Sequence, residues 1–261
     1  DLANGVSASV KRDSRQIALL PGSRRKEIEL NLPAMLEAAA DLHARHPELH
    51  FTLPVASTIS RAWLEELIGK WSATPRQSQS PQRAELAGDP GRRQSKKPPH
   101  VSPKEGRDVG HPATTFPLEL VADSRQALAG SQAAVVASGT ATLEAALAET
   151  PFVMVYRLTA LTWLLGRRLV DVPFFCIVNL IAGREVVPEL VQRDFTAVNV
   201  AARIERMLAD GPERRQMLDG LREVRASLSV AAGASASETA ARGILKVIQV
   251  EQGRTKVAPS C

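Results

Sequence analysis

Apolar positions along the chain follow two alternating periods. Short β-rich runs recur at Ile17 to Leu20, His50 to Val55, Leu118 to Val121, Ala133 to Ala137, Phe152 to Tyr156 and Phe174 to Val178, and each reads as a strand. Helical patterns lie between them. The one ending near Arg45 sets Ile28, Leu32, Met35, Leu36, Ala39 and Leu42 on one face. Others cover Ile59 to Trp71, Ser124 to Ala129, Ser138 to about Ala148, Ala160 to Val170, Ala197 to Leu208, Pro212 to Leu228 and about Ser237 to Val250. Strands alternating with helices imply βαβ units and therefore an α/β fold, a Rossmann-like parallel sheet with helices on both faces. Ligands of such sheets bind at the carboxyl ends of the strands, in loops that lead into helices.

The pattern breaks once. Ala73 to Pro117 has no apolar period and holds eight of the 17 prolines, in stretches such as Ser78-Gln79-Ser80-Pro81 and Lys96-Lys97-Pro98-Pro99. That composition buries too little apolar surface to offset ordering, so it reads as a disordered insertion. The expected organisation is a linker over residues 1–15, one Rossmann-like domain over 16–72 and 118–228, the insertion over 73–117, and a C-terminal helix and tail over 229–261.

Composition narrows the class. With 44% hydrophobic and 23% charged residues the chain is no collagen-like, disulfide-rich or wholly disordered protein. A formal charge of +5 raises the question of nucleic acid. The insertion alone carries eight Lys or Arg against four Asp or Glu, so most of the surplus sits there, without the interleaved aromatic platform that stacks bases. No nucleic-acid partner is expected. No apolar run approaches the ~20 residues that span a bilayer. Asp1 to Arg15 lacks the basic-then-apolar order of a secretory signal, which leaves the cytoplasm as the default compartment. Cys176 and Cys261 have no second cysteine at metal or redox spacing, and Cys176, inside an apolar run, reads as a reduced, inert thiol.

Three loops could carry chemistry. In Leu20-Pro21-Gly22-Ser23-Arg24, Gly22 lets backbone approach a ligand, Ser23 can cap, and Arg24 and Arg25 add charge where helix amides favour an anion. A capped turn with solvated arginines has the same sequence. In Val136-Ala137-Ser138-Gly139-Thr140-Ala141-Thr142-Leu143-Glu144, small hydroxyl and glycine residues offer amides to phosphate, and Glu144 can accept from a ribose diol. A first-turn glutamate also simply suits the helix dipole. In Asn179-Leu180-Ile181-Ala182-Gly183-Arg184-Glu185, the asparagine amide could pair with a uracil edge, and Arg184 behind the flexible Gly183 could reach a pyrophosphate. This stretch is placed between a strand and a short helix, on the same face as the other two.

Two further features favour structural readings. His43, His46 and His50 straddle Pro47 without a convergent carboxylate set, so they read as solvated surface rather than metal ligands. Leu158 to Pro173, with Trp163 and Leu164 beside Arg167 and Arg168, is amphipathic and suits a core-packed helix somewhat better than a membrane or partner surface.

In order, LLPGSRRKEI, VVASGTATLEAAL, YRLTALTWLLGRRLVDVPF, NLIAGREVVPELVQ and the later helical pair resemble lipid-A-disaccharide synthase over about Gln16 to Leu228, the insertion excluded. The resemblance implies one half of a two-domain glycosyltransferase-B fold, with the chain starting near the family's midpoint and without the acceptor half. It implies transfer of 2,3-diacylglucosamine from its UDP derivative to 2,3-diacylglucosamine 1-phosphate, with no metal or other cofactor. Gly22, Ser23, Arg24, Ser138, Gly139, Thr140, Glu144, Asn179, Gly183 and Arg184 would then surround the UDP part of the donor. Arg24 and Arg184 would stabilise the leaving diphosphate, and the general base would come from the absent half. The implied partners are the two acylated sugars and the inner-membrane surface, on which the protein would sit peripherally from the cytoplasm; a homo-oligomer is left open. A non-catalytic UDP-sugar-binding module or truncated pseudoenzyme would show the same loops. A UDP-sugar 2-epimerase would share the fold, but NLIAGRE and the stretch preceding it favour the transferase.

Overall fold

A computed structural model describes residues 11–73, 116–158, 173–228, 241–246 and 248. The elements are β1 (Asp13–Leu20), α1 (Arg25–Arg45), β2 (His50–Pro54), α2 (Arg61–Ala73), β3 (Leu118–Val121), α3 (Ser124–Gly130), β4 (Ser131–Ala137), α4 (Ala141–Leu147), β5 (Phe152–Tyr156), α5 (Ile177–Ala182), β6 (Glu189–Val191), α6 (Ala197–Leu208) and α7 (Pro212–Leu228). They build the α/β architecture that the alternating periods predict.

The six strands are all parallel, in the order β3-β2-β1-β4-β5-β6. The central strand carries the least polar segment: Ile17 to Leu20 are buried between Phe51 of β2 and Ala133 to Val136 of β4. A sheet covered on both faces needs such continuous apolar strands. Strand order reverses between β1 and β4, so right-handed crossovers put the helices of the two halves on opposite faces. α1 packs against α6, which also lies on β4 and β5; α3 lies on β1, β2 and β4 and touches α4. α7 touches α4, α5 and α6 and so joins the two layers.

Four expectations change. β1 begins at Asp13, inside the stretch assigned to a linker; its first half is polar and partly exposed, so it gives no apolar signal. Phe116, assigned to the insertion, is buried, with its ring 5.2 Å from Phe51 and 6.3 Å from Trp71, and the Pro117 carbonyl accepts from the Phe51 amide. Phe174 to Val178 is no strand. The amides of Phe175 and Cys176 donate to the Glu189 carboxylate, and Ile177 opens α5. The sixth strand is instead the short β6, which Glu189 and the preceding Pro188 conceal in the sequence. The helix expected at Ala160 to Val170 lies outside the described residues.

Candidate functional site

A cavity of about 790 Å³ lies where the strand order reverses, at the carboxyl ends of β1, β2, β3 and β4. Its lining brings the first two loops together: Gly22, Ser23 and Arg24 on one side, Ser138, Gly139, Thr140 and Glu144 on the other. Open parallel sheets place their ligands in this crevice.

The β1–α1 loop is held from three directions. Asn31 Nδ2 donates to the Pro21 carbonyl at 3.0 Å, Thr58 Oγ1 donates to the Ser23 carbonyl at 2.6 Å, and Glu27 Oε2 accepts from the Ser23 amide at 3.3 Å. Gly22 has φ +122°, and a Cβ there would lie 2.8 Å from Glu27 Oε2, so both conformation and space demand glycine. Arg24 is the N-cap residue of α1 but caps with no side-chain bond. Its guanidinium instead meets Glu27 Oε1 at 2.7 Å, with 81% of the side chain exposed.

Across the cavity, β4 ends at Ala137, and the Ser138 hydroxyl donates to the Phe175 carbonyl at 3.0 Å. The Gly139 and Thr140 amides have no backbone acceptor among the described residues. Glu144 Oε2 accepts from Ser124 Oγ at 2.9 Å, which ties α4 to the start of α3. That bond brings in residues which sequence reasoning missed: Asp123, Ser124 and Arg125 line the same cavity. Asp123 caps α3, accepting from the Arg125 and Gln126 amides. The Asp-Ser cap was a readable helix signal, but only the pairing of β3 with β2 sets it beside the cleft. The cleft is lined by three carboxylates, of Glu27, Asp123 and Glu144, and two guanidiniums, of Arg24 and Arg125. Anion binding there depends on local geometry rather than on a net positive field.

A smaller cavity of about 190 Å³ adjoins it, sharing Glu27, Ala137 and Ser138 and reaching Asn31, Tyr156 and Arg157. Burial, then the charge of Glu27, push the Tyr156 phenol above its ordinary pKa. Asn31 Oδ1, at the base of α1, is buried without a partner among the described residues.

The lipid-A-disaccharide synthetase family model matches residues 4–75 and 113–242. The chain belongs to that family. Among its relatives, the lipid-A-disaccharide synthase of Koribacter versatilis is 43% identical over 89% of this chain and 50% of its own length. That of Acidobacterium capsulatum is 38% identical over 82% and 45%, and that of Myxococcus xanthus 34% identical over 92% and 51%. The chain therefore spans about half the length of the relatives it matches. Solved glycosyltransferases overlap it only loosely, as the spinosyn forosaminyltransferase SpnP does at TM-score 0.47 and 11% identity, over 92% of this chain and 44% of that one.

The third loop of this lipid-A-disaccharide synthase family chain is not where the sequence placed it. Asn179 lies within α5, fully buried, and its amide is saturated. Nδ2 donates to the Val187 carbonyl at 2.9 Å and Glu189 Oε1 at 2.8 Å; Oδ1 accepts from the Val186 and Val187 amides at 2.8 and 3.0 Å. A primary amide has two donors and two lone pairs, so nothing remains for a uracil edge. Gly183 is the left-handed C-cap of α5, with φ +64°. Arg184 follows it in the segment that leads into β6, hence toward the amino ends of the strands; it pairs with Glu223 of α7 and lines a separate cavity of about 260 Å³. Helices between parallel strands run against the strand direction, so the end of α5 faces away from the cleft.

Other residues fall as follows. His46 meets Glu205 and Glu48, His50 meets Asp13, and the His43 ring meets the Leu49 carbonyl. No group of three metal-ligating side chains occurs among the described residues. Burial pushes the Cys176 thiol up to about 11, which keeps it out of the reactive thiolate form near neutrality. No described helix is long and apolar enough to cross a membrane.

Proposed function

We propose that this chain is the donor-binding half of a lipid-A-disaccharide synthase and that the cleft holds the UDP part of UDP-2,3-diacylglucosamine. One observation carries the proposal: the roughly 790 Å³ crevice combines the Gly22-Ser23-Arg24 loop, the Ser138-Gly139-Thr140 loop and Glu144 at the switch point of a parallel sheet. Membership of the family supports it.

The reaction moves the diacylglucosaminyl group to 2,3-diacylglucosamine 1-phosphate, breaking the bond between sugar and diphosphate and releasing UDP. Negative charge grows on the diphosphate as that bond breaks, and preorganised donors aimed at it lower the barrier. In this reading Arg24 and the amides at Gly139 and Thr140 supply them, while Glu144 takes the ribose diol. No residue of this cleft is assigned as general base; a base on the acceptor side, in the family's other half, completes the reaction. With both sugars acylated, catalysis belongs at the inner-membrane surface facing the cytoplasm.

Calorimetric titration tests the donor site. The wild-type chain binds UDP, and Glu144→Gln weakens UDP more than inorganic pyrophosphate, because only UDP has a ribose diol. Arg184→Ala changes neither, in line with its position away from the cleft. Absence of UDP binding by the folded chain would overturn the donor assignment, and equal losses for both ligands in Glu144→Gln would overturn the role of Glu144.

A further inference from the structure

Glu27 stands where the donor's diphosphate is expected. Its carboxylate bends back from the first turn of α1 over the β1–α1 loop. Oε1 takes the Arg24 guanidinium at 2.7 Å and Oε2 the Ser23 amide at 3.3 Å. Gly22 leaves the space it fills, since a Cβ there would come within 2.9 Å of the Glu27 Cβ and 2.8 Å of Oε2. One anionic side chain thus engages two of the donors that this loop offers a ligand, the Arg24 guanidinium and the Ser23 amide. Asp123, by contrast, is engaged in capping α3, and Glu144 accepts from Ser124.

We propose that Glu27 is an internal counter-anion, seated in the cleft where a nucleoside diphosphate must either displace it or bind against its charge. The proposal rests on the donor site described above and adds an internal competitor to it. A ligand anchored by this loop alone, such as inorganic pyrophosphate, meets the competition with nothing to offset it. A nucleoside diphosphate meets the same competition but has a second anchorage at Glu144. Glu27 therefore lowers the affinity for both ligands by a similar factor, and the anchorage at Glu144 decides which of them still binds. The effect is several-fold rather than orders of magnitude, because the Arg24 and Glu27 side chains are 81% and 36% exposed and solvent screens the pair.

Glu27→Gln keeps the shape and removes the charge. It is expected to bind UDP and pyrophosphate each about fivefold more tightly than wild type, with an unchanged melting temperature confirming an intact loop. Arg24→Ala should then weaken UDP more in the Glu27→Gln background than in wild type, where the guanidinium is already engaged. Tighter pyrophosphate binding by Glu27→Gln without UDP binding by any form would support the counter-anion and sink the donor site. UDP binding by wild type with no gain, or a loss, in Glu27→Gln would leave the donor site standing and overturn the counter-anion in favour of a carboxylate that merely positions the loop. Binding of neither ligand by any folded form would overturn both.

Discussion

Replacing Asn179 by alanine separates two incompatible roles for this residue. In the structure its amide clamps α5 to the segment that becomes β6, satisfying the buried amides of Val186 and Val187 and donating to the Val187 carbonyl and Glu189. Val187 and Asn179 are fully buried and Val186 nearly so, so water cannot replace the lost acceptor. Each buried donor left unsatisfied costs about 1–3 kcal/mol, and two are orphaned at once. Glu189 loses one donor but keeps the Phe175 and Cys176 amides, so its contribution is small. The sum is about 2–6 kcal/mol, a large part of the ~5–15 kcal/mol that holds a domain together. For a domain of this size it corresponds to a fall in melting temperature of roughly 10 °C. Thermal unfolding followed by circular dichroism reads it directly. Asn179→Asp should also destabilise, since its charge would face the Glu189 carboxylate and the Val187 carbonyl. An Asn179→Ala protein that melts within about 2 °C of wild type yet loses UDP binding would refute the clamp and restore the uracil contact.

Three variants probe other parts of the fold. Replacing residues 74–115 with a short Gly/Ser bridge while keeping Phe116 and Pro117 should preserve cooperative unfolding, because loop closure depends weakly on length. Extending the deletion through Pro117 removes a buried ring between Phe51 and Trp71 and should cost about 3 kcal/mol or more, read as a lower urea midpoint. Gly220→Ala drives a Cβ to 2.6 Å from Val186 Cγ1, on a residue whose backbone Asn179 fixes; overpacking of about 1–3 kcal/mol outweighs the gain of up to about 1 kcal/mol in helix propensity. Val186→Ala should relieve it, and a Gly220→Ala cost that persists in that background would show that the clash is not its origin.

The fold class and most of the elements are legible in the order of residues alone, because the apolar period of a buried segment is a local property. Ile17 to Leu20 and Ala133 to Ala137 are short apolar runs bounded by turn residues, as buried strands are, and the helical spacing of α1 marks its core face. Two of the three candidate loops are legible in the same way, since a strand that runs through glycine and hydroxyl residues into a helix is a pattern of neighbours in the chain. Only tertiary structure decided which loops meet. The β3–α3 residues Asp123 and Arg125 enter the cleft because β3 pairs with β2, and the Glu27 carboxylate reaches the Ser23 amide because Gly22 leaves room for its side chain. Asn179 and Arg184 left the site for the converse reason. A polar residue near a glycine looks the same in a loop before a helix as at the end of one, and the difference is whether its hydrogen bonds go to a ligand or to Val186, Val187 and Glu189, residues whose position depends on a strand too short to announce itself.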